Sequence, residues 1–593
     1  MKSDRIYLDV ETYKDYFLAS FLRESTGNIL DIEFHADQPL NKKKLAAVMG
    51  KNQTISFNGN GYDLIIITAA LMGYSNEKLK ALSDNIIKSN LPSWRIAKDH
   101  EIYVPRMWDH IDIMDVAPGT ASLKIYGGRL GAPKLQDLPI KPDDNITPEL
   151  REPMRRYCHN DLYTTQLLCN KLIKQIELRE SMSEQYGVDL RSKGGAQVAK
   201  AVLKSILESK GVKVPSNQVA SPKKIRFNNP GFISFETEKL KAVFNDVLLC
   251  DFELSVNGQV KLPVAINKAI EFEGAKYKFG IGGLHSQESA QAVIKPESGL
   301  LFEKDVASMY PNIILNQKLF PKHLGALFCS VYSGIVERRL QAKRAGDKST
   351  SDSLKLVINS SFGLFGSKYA FLYSPDLLIQ TTLTGQLALL MLIEKITLAG
   401  AKVVSANTDG VVVLCDNDKV YQSVEAVSFD WEMTTGLELE ETRYKAIYSQ
   451  SVNNYFSVCD NDSVKGKGCF SDGGLAKNPD KTICYKAVIE FLKSGRHMME
   501  TLMECQDIKQ FVKVRQVNGG AVWRGAEVGK AVRFYYSKEV GEDECLRYVT
   551  NGNKVPQSDG AKPLMNLPEE LPCDIDYKRY LNESQKILES LGV

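Results

Sequence analysis

Up to about residue 185 the chain alternates short apolar runs with longer amphipathic stretches. "RIYLDVET" and "TISFNGNGYDLIIITAAL" read as strand segments, while "TPELREPMRRYCHNDLYTTQLLCNKLIKQIEL" carries the three- and four-residue apolar spacing of a helix. Strands interleaved with helices predict an α/β domain over 1–185. Residues 186–295 open on a predicted helix, "KGGAQVAKAVLKSILES", and pass through Pro- and Gly-punctuated strands to "YKFGIGGLHS". Over 296–480 strands and helices mix, with "KRAGDKSTSDS" as a polar loop between two helical segments. Residues 481–593 are helical first ("YKAVIEFLKSGRHMMETLMECQ") and then strand-like ("GAVWRGAEVGKAVRFYYSK"). The pattern predicts a multidomain chain of α/β and α+β type.

One apolar pattern raises a chemical question. In "VVSANTDGVVV", residues 403–413, two β-branched runs flank a polar turn ending in Asp409-Gly410, a strong hairpin signal. Asp409 either shapes that turn or is a carboxylate presented at its tip.

Composition narrows the classes. The chain has 593 residues, 25% charged and 43% hydrophobic, which suits a globular protein with several cores. Its 11 cysteines form no CxxC pair, which argues against a zinc ribbon or a disulfide framework. No apolar run approaches the roughly 18 residues of a membrane span, and the first residues enter a strand pattern without a signal-like segment. An intracellular protein with no membrane partner is expected. The net charge of +3 says little, but between Lys481 and Lys538 eleven Lys/Arg face five Asp/Glu, interleaved with Trp523, Phe534, Tyr535 and Tyr536. That mixture suits a phosphate backbone, and equally a solvated helical face.

Acidic positions carry the candidate chemistry. Asp9 and Glu11, two apart on a predicted strand, share a face. Asp63 heads an apolar segment, and Tyr157 and Asp161 lie one helical turn apart. Four carboxylates brought together from three segments would repel one another and hold protons, unless divalent cations joined them. Two such ions activate a water and stabilise a leaving oxygen in phosphodiester hydrolysis, with a tyrosine hydroxyl able to orient the water. Further on, "LLFEKDVASMYPNIIL" runs a strand up to Asp305, which is either a helix cap or a second acidic centre. "VERRLQAKR" places Arg339 and Lys343 four apart, and "LKLVINSSFGLFG" places Lys355, Asn359 and Phe362 on one helical face. Two antiparallel helices would turn these cations toward one another, a constellation that suits a polyphosphate.

Taken in order, the acidic segments resemble the three exonuclease motifs of DEDD-type proofreading DNA polymerases. Asp305 to Ile314 is similar to motif A of family B DNA polymerases (D-x-x-S-x-Y-P), Lys355 to Gly363 to motif B, and "NTDG" to motif C (D-T-D-S). "NNYFSV" followed by "VKGKG" resembles the primer-gripping segment, and "FGIGG" the short link between exonuclease and polymerase domains. The resemblance, to a compact phage-like form, spans about four-fifths of the chain. It implies a ribonuclease H-like exonuclease domain (1–185), a connecting region and start of the palm (186–295), a palm (296–480) with fingers inserted at about 322–365, and a thumb (481–593). It further implies template-directed DNA polymerisation with 3′–5′ proofreading, two Mg²⁺ or Mn²⁺ ions per active site, and primer-template DNA, single-stranded DNA and dNTPs as partners. Processivity, helicase or priming partners and a bacterial host cytoplasm would go with a phage origin. Residue by residue, the exonuclease site would be Asp9, Glu11, Asp63, Tyr157 and Asp161. Asp305, Asp409 and the Val306 carbonyl would hold the polymerase metals. Ser308, Tyr310, Arg339, Lys343, Lys355, Asn359 and Phe362 would bind dNTP, and Tyr455, Lys465 and Lys467 the primer.

Departures from the pattern keep other readings open. Asn407 and Gly410 stand where motif C has aspartate and serine, and Phe362 where motif B has tyrosine. An exonuclease with a degenerate polymerase half, a noncatalytic nucleic-acid-binding replication factor, and an RNA-synthesising or reverse-transcribing palm enzyme are the rivals. Only some 40 residues separate motifs A and B, and the first acidic motif begins at residue 9, so neither a large fingers insertion nor an extra N-terminal domain is expected.

Overall fold

In β1 (Arg5–Thr12), Ile6, Leu8 and Val10 pack into one apolar cluster while Tyr7 faces another, so the strand is covered on both sides. The computed structural model describes residues 4–215, 222 and 224–593. Its sheet runs β3 (Ile29–Phe34), β2 (Phe17–Arg23), β1, β4 (Gln53–Ser56), β5 (His110–Asp112), with β1, β4 and β5 mutually parallel and the others antiparallel. The 39-residue helix Pro148–Tyr186 carries both Tyr157 and Asp161.

"TISFNGNGYDLIIITAAL" is not one strand segment as its pattern suggested. The strand stops at Ser56, the chain turns through Asn58 (φ 68°), and a helix covers Asp63–Met72. Gly59 permits that turn by packing under its neighbours: a Cβ there would lie 1.8 Å from Ser56 Oγ and 2.7 Å from His110 Nε2. The run "DLIIITAAL" is apolar because the helix is buried nearly all round, and period alone does not separate a buried helix from a buried strand.

By chain contacts the protein forms two units. The first combines Met1–Glu180 and Arg191–Gly194 with Gly473–Ser584. In its C-terminal part β16 (Lys513–Trp523) and β17 (Ala526–Tyr536) form an antiparallel hairpin flanked by β18 (Arg547–Tyr548) and β19 (Ala561–Pro563). Buried Arg533 ties this hairpin to Ala132 O and Leu564 O, each at 2.8 Å.

The second unit comprises Ser181–Leu190, Gly195–Asp472 and Gln585–Val593. Its sheet follows the order β15 (Val464–Lys467), β14 (Asn454–Cys459), β13 (Leu439–Ser451), β10 (Leu300–Val306), β12 (Gly410–Cys415), β11 (Lys402–Asn407), β8 (Leu284–Ser286), β7 (Ala275–Phe279), β6 (Ile270–Phe272), with β9 (Gln291–Ile294) on β13. β10 is therefore an interior strand, antiparallel to β12 and β13. The helix Pro375–Leu398 is long and apolar enough to cross a membrane by length and composition, contrary to the reading of the sequence. The apolar window that meets this criterion is 83% buried inside the protein, as expected of a core helix.

The polar loop predicted at "KRAGDKSTSDS" shrinks to a three-residue turn between the helices Leu327–Arg344 and Lys348–Leu364. Gly346 takes the left-handed conformation (φ 72°), and the Asp347 carboxylate accepts from Thr350 N at 3.0 Å, starting the second helix early.

Candidate functional site: two carboxylate centres

The first centre lies in the first unit. Oxygens of Asp9, Glu11 and Asp161 lie within 4.8 Å of one another. Opposite ligands of an octahedral Mg²⁺ with ~2.1 Å bonds are about 4 Å apart, so this donor set fits a hard divalent ion. Burial is the largest cause of their altered protonation: it raises Asp9, pushes Glu11 well above the usual carboxylate range, and brings Asp161 to about 7. Asp63, buried in the first turn of its helix, is also pushed well up, by burial and then by the Asp9 charge. Such a cluster lacks enough positive charge of its own, which is the electrostatic signature of a cation site.

Two partners here escaped the sequence reading. Lys124 donates to the Tyr157 hydroxyl at 2.7 Å with its ammonium 4.7 Å from the ring centre, and its charge lowers Asp9, Glu11 and Asp161. Asp112 accepts backbone N–H bonds from Asn58 (2.9 Å), Asn60 (3.0 Å) and Met114 (3.0 Å), fixing the loop that delivers Asp63. Neither belongs to a short acidic motif, so only the fold draws them in. The Cys158 thiol donates to Asp9 Oδ2 at 3.2 Å.

The second centre lies in the second unit. Asp305 stands on β10 opposite Gly410 of β12 on one side and Glu440 of β13 on the other. Asp409 sits in the β11–β12 turn, where Thr408 has φ 60° and Asp409 O accepts from Val306 N at 2.7 Å. Burial first, then the charges of Asp409, Glu303 and Glu440, bring Asp305 to about 7; burial also raises Asp409. Lys465 acts to lower Asp305 and Lys467 to lower Asp409. Lys467 lies opposite Tyr455 across β14 and β15, 5.9 Å from its ring centre.

Of the expected phosphate-binding set, Arg339 donates to Ser308 Oγ at 3.4 Å. Lys343, Lys355 and Asn359 are exposed on the helices Leu327–Arg344 and Lys348–Leu364. Tyr310 and Phe362 stack, which brings the first and second polymerase-like segments into contact.

"FGIGG", expected from the resemblance to link two domains, lies within the second unit. It forms the β7–β8 turn, whose Gly282 O accepts from the Tyr310 hydroxyl and whose Leu284 O accepts from Thr408 N at 2.7 Å. Buried Gln386 clamps Gly280 by bonding both its N–H and its C=O at 3.0 Å. A glycine-rich turn thus supports both Tyr310 and the turn that carries Asp409.

No protein-family model matches the chain. A curated relative, DNA polymerase 1 of Aeropyrum pernix, is 26% identical over 217 residues, which cover 30% of this chain and 22% of that polymerase; the matched part spans about a fifth of the relative's length. Among solved structures, the family B DNA polymerase of Pyrobaculum calidifontis aligns over 100% of this chain and 78% of that one, at 12% identity and a TM-score of 0.42.

Proposed function

We propose that the chain is a template-directed DNA polymerase that adds dNTPs to a primer 3′-hydroxyl and proofreads with a 3′–5′ exonuclease. The observation that carries this reading is that Asp305 on β10 and Asp409 in the β11–β12 turn come close enough for the Asp409 charge to act both on Asp305 and on Tyr310 of the Tyr310–Phe362 stack. The cluster of half-buried Asp9 and Glu11 with buried Asp161 in the other unit supports the second activity, and the sequence match to a DNA polymerase agrees with the first.

On this reading residues 1–185 are the exonuclease domain, 296–480 the palm with fingers at about 322–365, and 481–593 the thumb. Divalent ions, when bound, activate the attacking oxygen and neutralise charge on the leaving one. Asp305 and Asp409, with the Val306 carbonyl, hold them at one site, and Asp9, Glu11, Asp63 and Asp161 at the other. Arg339, Lys343, Lys355 and Asn359 bind the triphosphate. The Tyr310 ring lies under the sugar and collides with a 2′-hydroxyl. Tyr455, Lys465 and Lys467 hold the primer strand, and Tyr157, oriented by Lys124, positions the hydrolytic water. Base pairing with the template supplies the sequence information, so the protein needs only shape and backbone contacts.

A labelled primer on a longer template tests this with Mg²⁺ present. Lengthening with dNTPs and shortening without them are expected. A protein that shortens the primer but never lengthens it would leave the exonuclease-only reading, which Asn407 motivates.

A further inference from the structure

Asn407 removes one negative charge from the turn where the resembled pattern has an aspartate, and its amide is engaged elsewhere. Nδ2 donates to Val452 O at 3.3 Å, and Oδ1 accepts from Thr408 Oγ1 at 3.3 Å. A different acid stands nearby. Glu303 precedes Asp305 by two residues on β10, so both side chains leave the strand on the same face.

The space above Gly410 shows where those two side chains go. A Cβ built on Gly410 would lie 3.1 Å from Asp305 Oδ1 and 3.3 Å from Glu303 Oε1. Both carboxylates therefore reach over one α-carbon of β12, and a serine at 410 would crowd them. The other oxygen of Glu303, Oε2, accepts from the hydroxyl of buried Tyr444, which fixes the side chain with Oε1 toward Asp305. The Glu303 charge also acts on both Asp305 and Asp409.

Resting on the polymerase reading, we propose that Glu303 is a third metal-holding carboxylate of that site, acting with Asp305 and Asp409 in place of an acid at position 407. The two departures in the motif then become one change: the charge moves from the turn to β10, and position 410 loses its side chain to admit it. Among the described residues, Glu440 and Tyr444 of β13, Tyr455 of β14 and Lys465 and Lys467 of β15 face this site, and the charges of the two lysines act to lower Asp305 and Asp409.

The test uses the full chain carrying Asp9→Ala and Glu11→Ala, so that Mn²⁺ binding reports the polymerase site. Free Mn²⁺ is followed by electron paramagnetic resonance, and primer extension is titrated with Mg²⁺ in parallel. Glu303→Gln is expected to weaken Mn²⁺ binding and to raise the half-maximal Mg²⁺ concentration by about tenfold or more. Adding Asn407→Asp to Glu303→Gln should recover most of both. Gly410→Ser, which displaces Glu303 without removing it, should weaken Mn²⁺ binding in the same direction. Unchanged Mn²⁺ affinity in Glu303→Gln, with an unchanged circular dichroism spectrum, overturns the proposal. So does a loss that Tyr444→Phe reproduces in full and Asn407→Asp does not recover, since Glu303 would then act only through packing. Should the parent protein bind Mn²⁺ in a Glu303-dependent way yet never extend a primer, the metal assignment stands and the polymerase reading fails.

Discussion

The rings of Tyr310 and Phe362 lie 4.5 Å apart and within 8° of parallel, while the Tyr310 hydroxyl reaches back to Gly282 O. One side chain thus ties its own segment to two others, 28 and 52 residues away in sequence. Phe362 keeps the ring that stacking needs and lacks only a hydroxyl, so its departure from the resembled pattern costs this contact nothing.

If that stack forms the floor under the sugar, Tyr310→Ala opens it. Incorporation of ribonucleotides relative to deoxynucleotides, compared as kcat/KM for rCTP and dCTP, is expected to rise by about ten- to a hundredfold. Phe362→Tyr should leave the ratio within about twofold. An unchanged ratio in Tyr310→Ala would remove the steric role.

The two carboxylate centres belong to separate units, so their activities should come apart. Asp9→Ala is expected to slow primer shortening by about two orders of magnitude or more while sparing extension, and Asp409→Ala to do the reverse. Gel-resolved primer assays with and without dNTPs check both. Loss of both activities from either change in a folded variant contradicts the two-centre reading.

The metal-free protein should lose stability as pH rises. Asp161 and Asp305 are each raised to about 7 in the fold, chiefly by burial, against about 4 in the unfolded chain. Between those values the folded state binds more protons than the unfolded one, so unfolding becomes easier from pH ~4 to pH ~7. In EDTA, Tm is expected to be higher at pH 5 than at pH 8. Added Mg²⁺ should raise Tm more at pH 8, where the carboxylates are free to bind it. Equal Mg²⁺ shifts at both pH values would argue against ion binding at these clusters.

Lys124→Met removes the donor to Tyr157 and a positive charge that lowers Asp9, Glu11 and Asp161. Primer shortening is expected to slow by about 10- to 100-fold, and the acidic limb of its pH profile to move to higher pH, because the carboxylates then keep their protons longer. A slower rate with an unmoved profile would reduce Lys124 to a packing role.

Gly59→Ala places a methyl group against Ser56 Oγ and His110 Nε2. A destabilisation of about 1–3 kcal/mol in chemical denaturation is expected. Ser56→Ala should restore part of it, because Ser56 Oγ is the nearer obstacle.

Much of the candidate site was legible because it is written in short-range spacing. Asp9 and Glu11 two apart, Tyr157 and Asp161 four apart, and Asp409-Gly410 at a hairpin tip each need only strand, helix or turn geometry to be read. The hairpin reading of "VVSANTDGVVV" holds, and the structure adds that its turn is held by Val306 and Leu284, from segments more than a hundred residues earlier. What period could not decide was the state of "DLIIITAAL", since a helix buried all round shows no polar stripe.

The sequence by itself determined which acids exist and which pairs share a face, because those follow from backbone periods of two and 3.6 residues. Only the tertiary structure decided that Lys124 meets Tyr157, that Gln386 grips Gly280, and that Glu303 and Asp305 converge over Gly410. Such contacts depend on which strands lie side by side and on the absence of a Cβ at one position. No local pattern encodes either.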